Sequence, residues 1–136
     1  VNLNLNIESA VQDMAQLIPD QSQIMQSLNT NRIAMGNLEQ LAQNAEQGNP
    51  IAQHNLSALY SVGEIVRKDN RKAFLLMKKS ANQGLAQSQN ALARMYINGI
   101  GVEKDYQKAY YWSSLTARKG DQEGKEILLY LISNSQ

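Results

Sequence analysis

GLAQSQNALARMYINGIGVEKDYQKAYYWSSLTARKG, residues Gly84 to Gly120, decides the fold, because the stretch before it says nearly the same thing. The offset is constant: 84 − 48 = 36 and 120 − 84 = 36. At that offset Gly48, Gln53, Leu56, Tyr60, Gly63, Val66, Lys68, Asp69, Lys72, Ala73 and Ala81 all recur. Their counterparts are Gly84, Gln89, Leu92, Tyr96, Gly99, Val102, Lys104, Asp105, Lys108, Ala109 and Ala117. A fixed period of this size is the signature of a stacked repeat array.

Within each period the apolar residues fall at helical spacing. Helix A is expected over about 51–62 and 87–98, with Leu56, Leu59 and Tyr60 on one stripe, then Leu92, Met95 and Tyr96. Helix B is expected over about 70–83 and 106–119, presenting Ala73, Leu76 and Met77, then Ala109, Trp112 and Ser113. Asp69 and Asp105 stand where an N-cap belongs and can accept the free amide hydrogens of the first turn. Gly48, Gly84 and Gly120 follow the ends of successive helices, where a left-handed residue is wanted. A final helix A, about 122–133, carries Ile127, Leu128, Leu131 and Ile132 and caps the array. One helix pair cannot cover its own apolar stripe, so stacking makes the core. The expected fold class is all-α, a short solenoid.

Working outward, Leu38, Leu41 and Ala45 fall one period before Phe74, Met77 and Ala81. Residues 33–47 therefore read as the second helix of a unit whose first half has diverged. Residues 1–30 do not align with the repeat and read as an N-terminal capping or docking segment. VNLNLN alternates like a strand or an extended arm, Ile7 to Ile18 has helical spacing, and Pro19 stops it. Asp20 can cap a short stretch through Leu28, and Asn29, Thr30 and Asn31 read as a turn. Such an arm can occupy a groove in a second copy, which makes a homodimer through residues 1–30 one expectation.

Composition narrows the function classes. At 136 residues the chain suits one domain. A formal net charge of +1 gives it no overall attraction for nucleic acid. Residues 51–100 hold seven bases against two acids, either a surface that steers an acidic partner or a solvated helix face. Cysteine is absent, which removes disulfides and thiolate chemistry. No apolar run reaches the ~20 residues that span a membrane. The chain begins at Val1 rather than Met, so a targeting segment is expected to have been removed.

Catalytic motifs are lacking. His54 is the single histidine, there is no G-x-S-x-G elbow, and a lone His makes no metal motif. The NGIGV loop, Asn98 to Val102, follows a helix, whereas a phosphate cradle follows a strand. Tyr110, Tyr111 and Trp112 invite a base-stacking reading. No cofactor, metal or nucleic acid is expected.

The second unit resembles the Sel-one-like repeat (SLR), a relative of the tetratricopeptide repeat with a longer interhelical loop. Leu92, Tyr96, Gly99, Gly101, Val102, Asp105, Lys108, Ala109, Trp112, Ala117 and Gly120 stand at its pattern positions. The first unit departs from it: Ile65 replaces the second loop glycine, Leu76 the tryptophan, and Ser80 an alanine, as Thr116 does in the second unit. A β-branched residue tolerates positive φ poorly, so the first loop is expected to be shaped differently at Ile65. The resemblance covers about residues 33–133 and makes Trp112 a packing residue.

It implies a right-handed α-α superhelix that binds a protein or peptide without catalysis, as an adaptor or as a stoichiometric inhibitor such as a toxin immunity protein. Bacterial members often act in the periplasm or outside the cell. A wall-fragment-binding or hydrolysing envelope protein is the alternative, built on His54 or the Tyr110–Trp112 run. In tetratricopeptide-like arrays helix A lines the concave surface. By helical phase this implies a groove of His54, Ala58 and Ser61, then Asn90, Arg94, Ile97 and Asn98, then Glu126 and Tyr130. Arg94 stands out there, an arginine suited to bidentate carboxylate pairing within an apolar helix.

Overall fold

A computed structural model of the chain describes residues 21–135, apart from the Asn31 side chain. Among them are six helices: α1 (Gln21–Glu46), α2 (Pro50–Val62), α3 (Asn70–Asn82), α4 (Ala86–Asn98), α5 (Tyr106–Arg118) and α6 (Gln122–Ser133). Contacts divide the chain into two compact units, Val1–Leu38 and Glu39–Gln136. The expectations for VNLNLN, the Ile7–Ile18 helix, the Pro19 stop and the Asp20 cap lie outside the described residues.

The second unit is the repeat array. α2 packs on α3, α3 on α4, α4 on α5 and α5 on α6, giving a chain of helix-turn-helix pairs. The caps explain where the helices start. Asp69 accepts from the Lys72 amide at 3.0 Å, and Asp105 accepts from the Lys108 amide at 3.1 Å. Asn49 does the same for Ala52, with Pro50 opening α2, and Asp121 does it for Gly124. Each loop is also tied back to helix A: the Asp69 amide donates to the Tyr60 carbonyl and the Asp105 amide to the Tyr96 carbonyl, both at 3.0 Å.

Repetition reaches the side chains. Lys72 lies over the Tyr60 ring at 5.5 Å, and Lys108 over the Tyr96 ring at 5.6 Å. The best-covered helix is α4, which has helices on both sides. Leu92 and Ala93 are wholly buried, and Tyr96 meets the Phe74 ring edge-on with centroids 5.5 Å apart. Burying Leu92 or Tyr96 stabilises the array by about 1.5–3 kcal/mol each. Trp112 is half-buried, packed against this core and edge-on to Tyr111.

In α6 the pattern stops being covered. Leu129 occupies the position of Ser57 and Ala93, yet it is 65% exposed. Ser57 sits close enough to its own helix B to donate to the Ala73 carbonyl at 2.5 Å. A helix seated equally close to α6 would collide with the Leu129 side chain.

The loops differ where Ile65 replaces glycine. Gly101 has φ of 70°, and a Cβ there would overlap the Asn70 carbonyl oxygen at the start of α3. That site is closed to side chains by both torsion and space. No non-glycine residue among those described has positive φ, so Ile65 adopts an ordinary torsion.

One expectation is corrected. Asn29, Thr30 and Asn31 form no turn: α1 runs unbroken from Gln21 through them and past Ile33. The physical reason is the missing cap. Ile33 stands one period before Asp69, where the other B helices are stopped by an aspartate. Without it the helix continues N-terminally, and Thr30 satisfies its hydroxyl on the Gln26 carbonyl at 2.9 Å.

Candidate functional site: a groove across the A helices

α2, α4 and α6 line a groove made of two adjoining pockets that share Arg94. Its first part has a volume of 270 Å³ and is lined by His54, Ala58, Ser61, Arg94 and Asn98 over Met77, Ala91, Met95 and Ile100. Its second part, 310 Å³, is lined by Arg94, Ile97, Glu123, Glu126, Ile127 and Tyr130. Arg94 belongs to both. Eight of the nine positions anticipated from helical phase therefore line this groove.

Asn90 is the exception and requires a correction. It is 1% exposed, and its amide is fully engaged inside the array. Thr116 Oγ1 donates to Asn90 Oδ1 at 2.6 Å, and Asn90 Nδ2 donates to Asp121 Oδ1 at 2.9 Å. Asn90 joins α4, α5 and the α6 cap rather than facing a partner. Helical phase could not separate these roles, because Asn90 and His54 share one position in the repeat. The Gly124 amide hydrogen bond first, and then the one from the Asn90 side chain, depress the Asp121 pKa.

His54 shows what the same position does one unit earlier. Its Nδ1 lies 2.8 Å from Ser88 Oγ, and Ser88 Oγ lies 2.5 Å from Ser80 Oγ. Ser80 donates its hydroxyl hydrogen to the Pro50 carbonyl at 2.7 Å. Ser80 must then accept from Ser88, which leaves Ser88 to accept from His54. This order places the imidazole hydrogen on Nδ1 and leaves Nε2 as an acceptor. Burial, then the charge of Arg94, lowers the His54 pKa, which favours the same neutral ring.

Arg94 forms an ion pair with Glu123, both side chains about half exposed. Glu123 lies one period after Gln87, so the repeat pattern offered no acid there. Met77 and Ile127 also escaped the sequence reading, since both sit on core stripes and line the groove with their edges. Tyr110 and Tyr111 are exposed on helix B, and Tyr110 lines a further pocket of 280 Å³ with Tyr106, Leu131 and the groove residue Tyr130. Among the described residues no group of three or more His, Cys, Asp or Glu is placed to hold a metal ion. No described helix is long and apolar enough to cross a membrane.

The Sel1 repeat family matches residues 50–85 and 86–121, the two units from helix A to the start of the next. This chain belongs to the Sel1 repeat family. A Sel1 repeat protein from Oxalobacter formigenes is similar at 35% identity and a TM-score of 0.65, over 68% of this chain and 69% of that one. The protective antigen c5321 of uropathogenic Escherichia coli, which displays an SLR fold, is similar at 31% identity and a TM-score of 0.68. That match takes in 72% of this chain and about a fifth, 21%, of the antigen. Among curated proteins none matches. Sel1 repeat proteins generally serve as protein-interaction scaffolds and are typically non-catalytic.

Proposed function

We propose that the groove across α2, α4 and α6 holds an extended peptide or loop of another protein, making this Sel1 repeat chain an adaptor or a stoichiometric inhibitor. The observation that carries the reading is the meeting of two groove segments at Arg94, one with a largely apolar floor and one with acidic walls. An apolar side chain fits over Met77, Ala91 and Met95, where His54 and Asn98 supply polar groups. The neighbouring segment offers Ile97 and Ile127 for a side-chain stem and Glu126 for a polar head. Arg and Tyr are the residue types enriched among interface hot spots, and Arg94 and Tyr130 supply one of each.

The test is selection from a displayed peptide library by the wild type, Arg94→Ala and Ala58→Trp. Ala58 is exposed at the groove wall, so tryptophan there fills the groove without touching the core. The expected result is a peptide set retained by the wild type and lost by both variants. Equal retention by all three would place binding elsewhere and end this proposal.

A further inference from the structure

α1 carries an apolar seam that the described structure leaves bare. From Gln21 to Asn37 every described side chain is exposed, including Ile24 at 41%, Leu28 at 53% and Met35 at 65%. Yet the stretch is helical throughout, and it is rich in Gln, Ser and Asn with a glycine at Gly36. Ser, Asn and Gly are middling to weak helix formers, and most helical stability in proteins comes from packing an apolar face rather than from propensity. What holds such a helix is cover for an apolar face.

The spacing of that face identifies the cover. Ile24, Leu28, Met35, Leu38, Ala42 and Ala45 follow one alternation of four and three, with Asn31 at the remaining step. This is the a/d pattern of a coiled coil. Its C-terminal member, Ala45, is 4% exposed, and its carbonyl accepts from Gln53 Nε2 at 3.1 Å. The seam thus begins as a packed repeat contact and runs on uncovered toward Gln21.

We infer that α1 pairs along this seam with α1 of a second copy of the chain. A heptad seam is complementary to itself, since each apolar layer meets another apolar layer. Arg32 is the one charged residue between Gln21 and Leu38, so two copies meet with little like-charge repulsion. The inference does not depend on the groove reading: the seam lies on α1, and the groove is lined from α2, α3, α4, α6 and the loop after α4.

Sedimentation equilibrium of the full chain tests it. The expected mass is twice 15.2 kDa, falling toward 15.2 kDa on dilution. Leu28→Glu and Met35→Glu are expected to weaken the dimer at least about 100-fold, because each places an unpaired charge in the seam. Both side chains are exposed within the chain, so the solenoid should unfold as before, followed by the fluorescence of Trp112. Leu129→Glu, equally exposed on α6, should leave the dimer intact. A chain that stays at 15.2 kDa at its highest soluble concentration overturns the inference, as expected if residues 1–20 cover the seam of their own molecule. So does a dimer indifferent to Leu28→Glu, or one dissociated by Leu129→Glu.

Discussion

Arg94 on α4 and Glu123 on α6 form an ion pair that joins the two segments of the groove. The guanidinium best placed to meet a partner is thus held by a carboxylate of its own chain. An exposed pair of this kind contributes about 0–1 kcal/mol, so a ligand can take over either member at small cost. Arg94→Ala is therefore expected to change the urea midpoint by no more than about 1 kcal/mol of stability. The same variant should weaken groove peptides by at least about tenfold, the loss of one charge-assisted contact. Glu123→Gln frees the guanidinium and should strengthen acidic peptides selectively. Isothermal titration with one acidic and one neutral groove peptide reads both effects; equal affinity of the wild type and Glu123→Gln for the acidic peptide contradicts this account.

Asn90→Ala should behave in the opposite way. It takes one partner from each of Thr116 and Asp121, leaving the hydroxyl only the Ser113 carbonyl and the carboxylate only the Gly124 amide. The expected cost is about 1–3 kcal/mol, measured by chemical denaturation, with groove affinity unchanged in the folded protein. A variant of native stability would show that water replaces the amide without loss.

Gly101→Ala is expected to be more damaging than any change at Ile65. It combines a φ of 70° with overlap of the added Cβ and the Asn70 carbonyl. The torsion alone costs about 1–3 kcal/mol. Ile65→Gly, at an exposed residue of ordinary torsion, should shift stability by less than about 1 kcal/mol. Comparing the two melting temperatures checks the claim that the two loops have different needs at one repeat position.

Most of the array was legible in the sequence because its repeated residues do local jobs. Asp69 and Asp105 cap helices, glycines turn the chain, and Leu92 and Tyr96 fill a stripe, each within reach of its sequence neighbours. The groove was legible to the same extent, since helical phase places Ala58, Arg94 and Tyr130 on one face. Asn90 was not, because its role depends on Thr116 and Asp121 from two later elements. The length of α1 was missed for a related reason: a turn was read from Asn29–Asn31, while the deciding fact was the absence of an aspartate at Ile33.

Acid should loosen the array through His54 and, lower down, through Asp121. The folded His54 pKa lies below its ordinary value near 6.5, so the unfolded chain takes up the proton first. Its contribution is present above that value and is lost as pH falls through it toward the lowered folded value. Asp121 is also depressed, so its contribution is present above the ordinary aspartate range and is lost as pH falls through its folded value. Unfolding midpoints at about pH 7.5 and about pH 5.5 isolate the histidine. His54→Asn, which copies the residue at position 90, should lose less stability over that interval than the wild type. Equal losses would assign the dependence to other groups.

The contact between each helix B and the following helix A allots a fixed volume to two side chains. Ser80 and Ser88 share it evenly, hydroxyl to hydroxyl at 2.5 Å. One period later Thr116 takes nearly all of it and Gly124 takes none, since a Cβ on Gly124 would overlap Thr116 Oγ1. The two sites are thus free to drift only as pairs. A change at Gly124 that would be harmless after a smaller residue at 116 is obstructed while threonine remains, so the order in which mutations arrive determines which sequences this array can reach.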